Sequence, residues 1–201
     1  MRAKLAAPRR RGKTRRRAAG SDAAMRRPLL SGMMAAMSPV SLHPARSAAD
    51  IAEAAALFRD YAAALDVDLC FQGFDEELAT LPGKYGPPRG ELLLARGADG
   101  APLGCVALRP LDAPQLCEMK RLYVRDAARG HGAGRALVAA IIAAAEARGY
   151  AEMRLDSLPS MTAALALYRR FGFAEIPAYC FNPVPGTVYL ALSLRSDTKR
   201  G

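Results

Sequence analysis

The 201-residue chain contains no run of eighteen or more apolar residues, which leaves no segment suited to span a membrane as a helix. Its four cysteines, Cys70, Cys105, Cys117 and Cys180, are widely spaced and form no Cys-x-x-Cys pair. They read as free thiols of a reducing compartment, here the cytoplasm, and mostly lie in strand-like apolar segments. None has an evident His or Asp partner, which argues against a cysteine nucleophile. Histidine is nearly absent, and His131 has no companion residues with which to bind a metal.

Positive charge is abundant but confined. Residues 1–48 carry twelve Lys/Arg and one acid, Asp22, a net of +11, whereas residues 49–201 carry seventeen Lys/Arg and eighteen Asp/Glu, a net of −1. The overall +10 therefore belongs to a tail, and the globular part is close to neutral. Residues 1–38 lack an apolar period and are dense in like charge, the signature of a disordered segment. Such a tail is compatible with a mis-assigned start (Met25, Met33, Met34 and Met37 are in-frame alternatives), with a targeting segment, or with a nucleic-acid-binding arm. Nucleic acid enters only through this tail. Residues 39–195 form one domain, and 196–201 a flexible C-terminus.

Periodicity divides that domain into alternating elements. Val40–Pro44 reads as a first strand, and Ser47 with Asp50 resembles a capping box before a helix running to Leu65. A second helix is predicted over Asp75–Leu81, with loop at Lys84–Gly90. Strands follow at Glu91–Arg96, Pro102–Leu111 and Gln115–Val124, joined by turns suited to antiparallel hairpins. A helix from Ala136 to Arg148 carries Leu137, Val138, Ile141, Ile142 and Ala145 on one stripe. Then come a strand at Ala151–Asp156, a helix at Met161–Phe171 capped by Ser160, and strands at Phe173–Tyr179 and Thr187–Leu194. The order β-α-α-β-β-β-α-β-α-β-β predicts an α/β fold with a central mixed sheet flanked by helices.

Between the third hairpin-linked strand and the helix after it lies Arg129-Gly130-His131-Gly132-Ala133-Gly134-Arg135. A glycine-rich turn there exposes backbone N–H groups without intrahelical partners, a ready anion site. No Gly-Lys-Ser/Thr follows, so it is not a P-loop, and it is not Gly-x-Gly-x-x-Gly in the dinucleotide register. Its late place, after four strands, also argues against an NAD or ATP domain. What does fit is Arg/Gln-x-x-Gly-x-Gly/Ala at Arg129–Gly134, with Leu167-Tyr168-Arg-Arg-Phe-Gly172-Phe173 downstream. Together these resemble the acyl-CoA-binding motifs of the GNAT superfamily of N-acetyltransferases, over about residues 40–194.

The resemblance implies acetyl-CoA as acyl donor, no metal, and direct transfer of acetyl to an amine in a ternary complex. It places the pantetheine arm along the backbone of Leu122, Tyr123 and Val124 where the fourth strand parts from the fifth. It places the pyrophosphate on the amides of Gly130, His131, Gly132, Ala133, Gly134 and Arg135, with Arg129 and Arg135 as cationic supplements. A helix dipole adds roughly 0.3–1 kcal/mol there and each charge-assisted bond roughly 1.5–3. Tyr168 matches the tyrosine that returns a proton to the departing thiolate. Relatives often have Asn seven residues before that tyrosine. Here Met161 occupies the position, so the pantetheine contact is lost or moves to the adjacent Ser160.

The amine must attack as the free base. A lysine-like amine pays about 4.6 kcal/mol to be neutral at pH 7, an α-amine about 1. Glu118 stands where some relatives place a base carboxylate. It can serve as a water-mediated base or as a structural ion pair with Lys120 or Arg121. The acceptor side is expected at Phe71–Glu77, Lys84-Tyr85 and Tyr179–Pro183. The acidic residues there either attract an amine or cap the second helix, and Lys84 with Arg89 suggests an amino-acid-like acceptor. The reading is an N-acetyltransferase acting on a small-molecule amine, with no membrane partner. The resemblance also admits a homodimer. The rival is a non-catalytic acyl-CoA-binding or nucleic-acid-associated module.

Overall fold

The computed structural model describes residues 40–65 and 73–195. The basic tail of residues 1–38, Cys70, Phe71, Gln72 and the last six residues lie outside the described residues.

Elements follow in the expected order: β1 (Ser41–Pro44), α1 (Ala48–Leu65), α2 (Phe74–Ala79), β2 (Glu91–Arg96), β3 (Pro102–Pro110), β4 (Leu116–Val124), α3 (Ala133–Ala147), β5 (Glu152–Ser157), α4 (Thr162–Arg170), β6 (Ala174–Glu175) and β7 (Val188–Ser193). They build one seven-stranded sheet in the order β1-β2-β3-β4-β5-β7-β6. Every pairing is antiparallel except β4 with β5. The sheet is mixed, as the sequence predicts.

Helices cover both faces of the sheet. Leu93, Ala95, Val106 and Leu108 of β2 and β3 join the core containing Leu137, Val138 and Ile141 of α3. Their alternate neighbours Leu92, Leu94, Cys105 and Ala107 join a second core with Leu57 and Phe58 of α1. This is why Leu92–Ala95 carries no polar alternation: both faces are dry. Burying a side chain such as Phe58 contributes about 1.5–3 kcal/mol.

Local signals explain most of the boundaries. Ser47 and Asp50 form the reciprocal cap, with Ser47 N–H donating to Asp50 Oδ2 at 2.9 Å and Asp50 N–H donating to Ser47 Oγ at 3.1 Å. Three expectations need correction. The loop after α2 holds a 3₁₀ turn, Gly83–Tyr85, which buries Tyr85 against Phe58. Ser160 does not cap α4; the turn continues through Met161, which takes the N-cap position without a side-chain bond. Strand β6 is only two residues long, because Pro177 cannot donate to a ladder. No described helix is long and apolar enough to cross a membrane.

Candidate active site

Strands β4 and β5 pair at three positions only, Leu116↔Glu152, Cys117↔Met153 and Glu118↔Arg154. Beyond Glu118 they part. β4 remains zipped to β3 as far as Gly104↔Val124, and β5 remains zipped to β7 as far as Ser157↔Val188. The β5-facing backbone groups of Met119–Val124 therefore have no strand beside them, which leaves a wedge-shaped opening in mid-sheet with an unpaired hydrogen-bonding edge. The register of β4 on β3 also slips between Cys105 and Ala107. There Arg121 and Leu122 together oppose Val106, a β-bulge, and Arg121 takes the left-handed φ of 56°.

The wedge opens into a groove of about 520 Å³, walled by Tyr61, Ala64 and Leu65 at the end of α1 together with Leu122, Tyr123, Val124, Arg129, Gly134, Ser160, Met161 and Leu167. The glycine turn stands beside it. Gly130 and Gly132 sit at φ 80° and 82°, conformations a side chain rarely adopts. Helix α3 starts at Ala133, with Gly132 as N-cap, and Ala136 N–H is bonded to Gly132 O at 2.9 Å. The amides of Ala133, Gly134 and Arg135 thus lie in the first turn, where no intrahelical acceptor exists. Arg129 reaches back to Val124 O at 3.1 Å and pairs with Asp126 at 2.7 Å, while His131 and Arg135 are exposed. An open β edge leading to a helix N-terminus with a cationic rim fits a long ligand ending in phosphates.

Toward its centre the wedge narrows to a small cleft. Tyr168, Asp156, Lys120, Met161 and Asn182 line it. Tyr168 packs on Phe173 with ring centroids 5.8 Å apart, and burial pushes its phenol well above the usual range. It is a proton-bearing group at any physiological pH. Across the parted strands Lys120 Nζ meets Asp156 Oδ1 at 3.0 Å, and Asn182 donates to Asp156 Oδ2 at 2.8 Å. Burial raises the Asp156 pKa, but the Lys120 charge and the two bonds outweigh it and hold the carboxyl below its ordinary value.

Glu118 lies behind this wall, fully buried, with Arg109 Nε at 2.6 Å and the Tyr179 hydroxyl donating at 2.8 Å. Lys120 is farther, at 3.7 Å, and Arg121 is turned away. Glu118 therefore pairs chiefly with Arg109, opposite it in the β3–β4 register, and at longer range with Lys120, as one of the sequence alternatives had it, but not with Arg121. Glu118, Asp156 and Cys180 each offer a ligand atom within 4.8 Å of the others, but the Lys120 ammonium already serves as the cation of that cluster.

The donor-side residues expected from sequence gather at one groove and one turn. The acceptor-side expectations fare less evenly. Glu77 neither faces the cleft nor caps α2; both its oxygens hold the Arg121 guanidinium, at 2.8 and 2.6 Å. Arg89 donates to Pro114 O and lies over the Tyr150 ring. Arg109 and Asp156 were not singled out by sequence, and Arg121 only as a partner for Glu118. Their signal was a charge within a strand of a buried sheet, which is tolerated only with a partner.

A model of the acetyltransferase (GNAT) family matches residues 56–173. The chain belongs to this family. It is 42% identical to an uncharacterized N-acetyltransferase of Schizosaccharomyces pombe over 157 residues, covering 78% of this chain and 96% of that protein. It is 28% identical to an uncharacterized N-acetyltransferase of Dictyostelium discoideum, over 69% of this chain and 92% of that one. An acyl-CoA N-acyltransferase structure from Klebsiella pneumoniae superposes with a TM-score of 0.58 at 29% identity, covering 79% of this chain and 99% of the other. A GNAT acetyltransferase of Staphylococcus aureus gives 0.65 at 16% identity over 78% of this chain and all of the other, a likeness of fold. The protein is an acyltransferase with the GNAT fold, of the acyl-CoA-dependent N-acetyltransferase type.

Proposed function

We propose that the protein transfers acetyl from acetyl-CoA to the primary amine of a small-molecule or amino-acid-like acceptor, directly and within a ternary complex. The observation that carries this reading is the parting of β4 from β5 beyond Glu118, with the groove and glycine turn on one side and Tyr168 at the apex. The open edge of Leu122–Val124 and Ser160 would hold the pantetheine arm. The amides of Gly130–Arg135, with Arg129 and Arg135, would hold the pyrophosphate. An amine entering from the α1–α2 side forms the N–C bond as the C–S bond breaks. Tyr168 gives its proton to the leaving thiolate. Glu118 takes the amine proton through the Tyr179 hydroxyl, which hands its own proton to the carboxylate as it accepts that of the amine.

Direct transfer is favoured over an acyl-enzyme because Cys180, the described thiol beside Asp156 and Glu118, has its pKa raised by partial burial and then by those two carboxylates, which disfavours the thiolate. A second reading of the base has its own support: Asp156, not Glu118, is the carboxylate in the cleft wall. A reducing compartment such as the cytoplasm suits the buried free thiols Cys105 and Cys117. A homodimer would show as a doubled mass in light scattering.

A thiol-release assay of the full chain with acetyl-CoA and a panel of amines tests the proposal. Turnover with particular primary amines, and no release without one, is expected. A burst of CoA equal to the enzyme in the absence of any amine would overturn direct transfer.

A further inference from the structure

Arg121 is the one described non-glycine residue with a positive φ, and it stands at the bulge immediately before the β4 edge of the donor groove. Its carbonyl is turned toward Cys105 Sγ, at 3.4 Å. Its side chain runs to the other face of the sheet and is almost wholly buried. There Glu77 of α2 grips the guanidinium with both oxygens, and the rings of Phe74 and Tyr61 flank it at 5.1 and 5.8 Å. Glu77 is itself fixed by the Tyr85 hydroxyl, which donates to Oε1 at 3.0 Å. A non-glycine residue persists in the left-handed region only where its surroundings over-determine it. Here the determining contacts come from α1, α2 and the turn after α2, and of these residues Tyr61 alone also lines the groove.

We infer that Glu77 and Arg121 form a positioning clamp: α2, on the acceptor side, sets the backbone edge that binds the acyl donor. The inference rests on the reading that Leu122–Val124 receives the pantetheine arm. With the clamp intact, Arg121 stays left-handed, and the following peptides present their N–H and C=O groups into the groove. Without it, Arg121 relaxes toward an ordinary strand φ. The peptide between Arg121 and Leu122 then turns, and the edge loses its match to the donor. The planar fork of arginine suits this task, because a two-point grip fixes orientation where a lysine ammonium would fix only distance.

The test is calorimetric titration of the full chain with acetyl-CoA. Glu77→Ala is expected to weaken binding about tenfold, the scale of one lost hydrogen bond. Adding Arg121→Gly to that variant should restore part of the affinity, because glycine holds the left-handed φ without a clamp. Such a rescue would not arise from a merely structural role for Glu77. An acetyl-CoA affinity within twofold of wild type in Glu77→Ala, shown to be folded by a cooperative melt, overturns the clamp. Should Glu77→Ala fail to fold, Glu77→Gln, which keeps the shape, takes its place under the same criteria. Failure of the wild-type chain to bind acetyl-CoA would instead sink the donor reading itself, and the clamp with it.

Discussion

Arg109 and Glu118 face each other across the β3–β4 ladder, joined by a 2.6 Å bond from Nε to a carboxylate with no solvent exposure. Such a pair is costly to break and of modest value to keep, because its attraction mostly offsets the desolvation of the two charges. Arg109→Ala strands the Glu118 charge beside only Tyr179 and Lys120. Urea unfolding should report a loss of about 3 kcal/mol, near the lower end for buried pairs because Arg109 itself is partly exposed. Arg109→Met combined with Glu118→Leu should recover most of that stability while leaving the base reading without its carboxylate. If the double variant is no more stable than the single one, the pair is not what the alanine disturbs.

Glu118 and Asp156 can be told apart by kinetics. Glu118→Gln should lower kcat by about 10²–10⁴-fold if it accepts the amine proton, and the loss should shrink for acceptors of low amine pKa. Asp156→Asn should act mainly on the acceptor KM. It should also alter acid stability in a definite direction. The folded-state pKa of Asp156 is depressed, so its contribution is present above the unfolded value near 3.9 and fades as pH falls through the lower folded value. The stability gap between wild type and Asp156→Asn should therefore be constant near neutrality and close below about pH 4. A gap that persists unchanged at pH 2 would mean that packing, not charge, fixes Asp156.

Tyr168→Phe removes one oxygen from a site whose ring still packs on Phe173. We expect stability within about 1 kcal/mol of wild type, the scale of a single hydrogen bond, and kcat reduced by about 10²-fold or more. Because burial raises the phenol pKa, any alkaline limb in the wild-type kcat profile below pH 10 should belong to another group and survive in Tyr168→Phe. Unchanged turnover with every accepted amine would remove the acid assignment.

The order of elements was legible because each has a period of its own. β7 alternates Val188, Leu190 and Leu192 inward with Tyr189 outward, and α3 repeats Leu137, Val138 and Ile141 at helical spacing. The expected strand through Phe173–Tyr179 shrank to Ala174–Glu175 for a reason written in the sequence, Pro177. The glycine turn was legible because its spacing and its place between strand and helix are local. The charged network was not. Pairing Arg109 with Glu118 requires the hairpin register, and pairing Lys120 with Asp156 requires knowing where β4 leaves β5. Nothing local announces a left-handed arginine at 121; its carboxylate partner, Glu77, lies 44 residues away.

Two glycines near the donor groove separate space from conformation. Gly104 lies on β3 with ordinary strand geometry, yet a Cβ there would sit 2.4 Å from Tyr123 O and 3.1 Å from Val124 Cα. Gly132 has nothing within 4 Å of a Cβ but holds φ at 82°. Gly104→Ala must therefore push β4 itself, the strand that edges the groove, and should cost about 1–3 kcal/mol or more through overpacking. Gly132→Ala costs about 1–3 kcal/mol through backbone strain alone, released if the turn rearranges. Thermal melts with and without acetyl-CoA distinguish these effects from simple destabilisation, because a ligand at free concentration L stabilises the folded state by RT ln(1 + L/Kd), more the tighter it binds. Both variants should show a lower melting temperature without ligand and a smaller shift on adding acetyl-CoA. If Gly132→Ala melts lower but keeps the full ligand shift, the strained turn has kept its amides in place, and a full shift in an Arg129→Ala, Arg135→Ala double variant as well would mean that this turn does not hold the pyrophosphate.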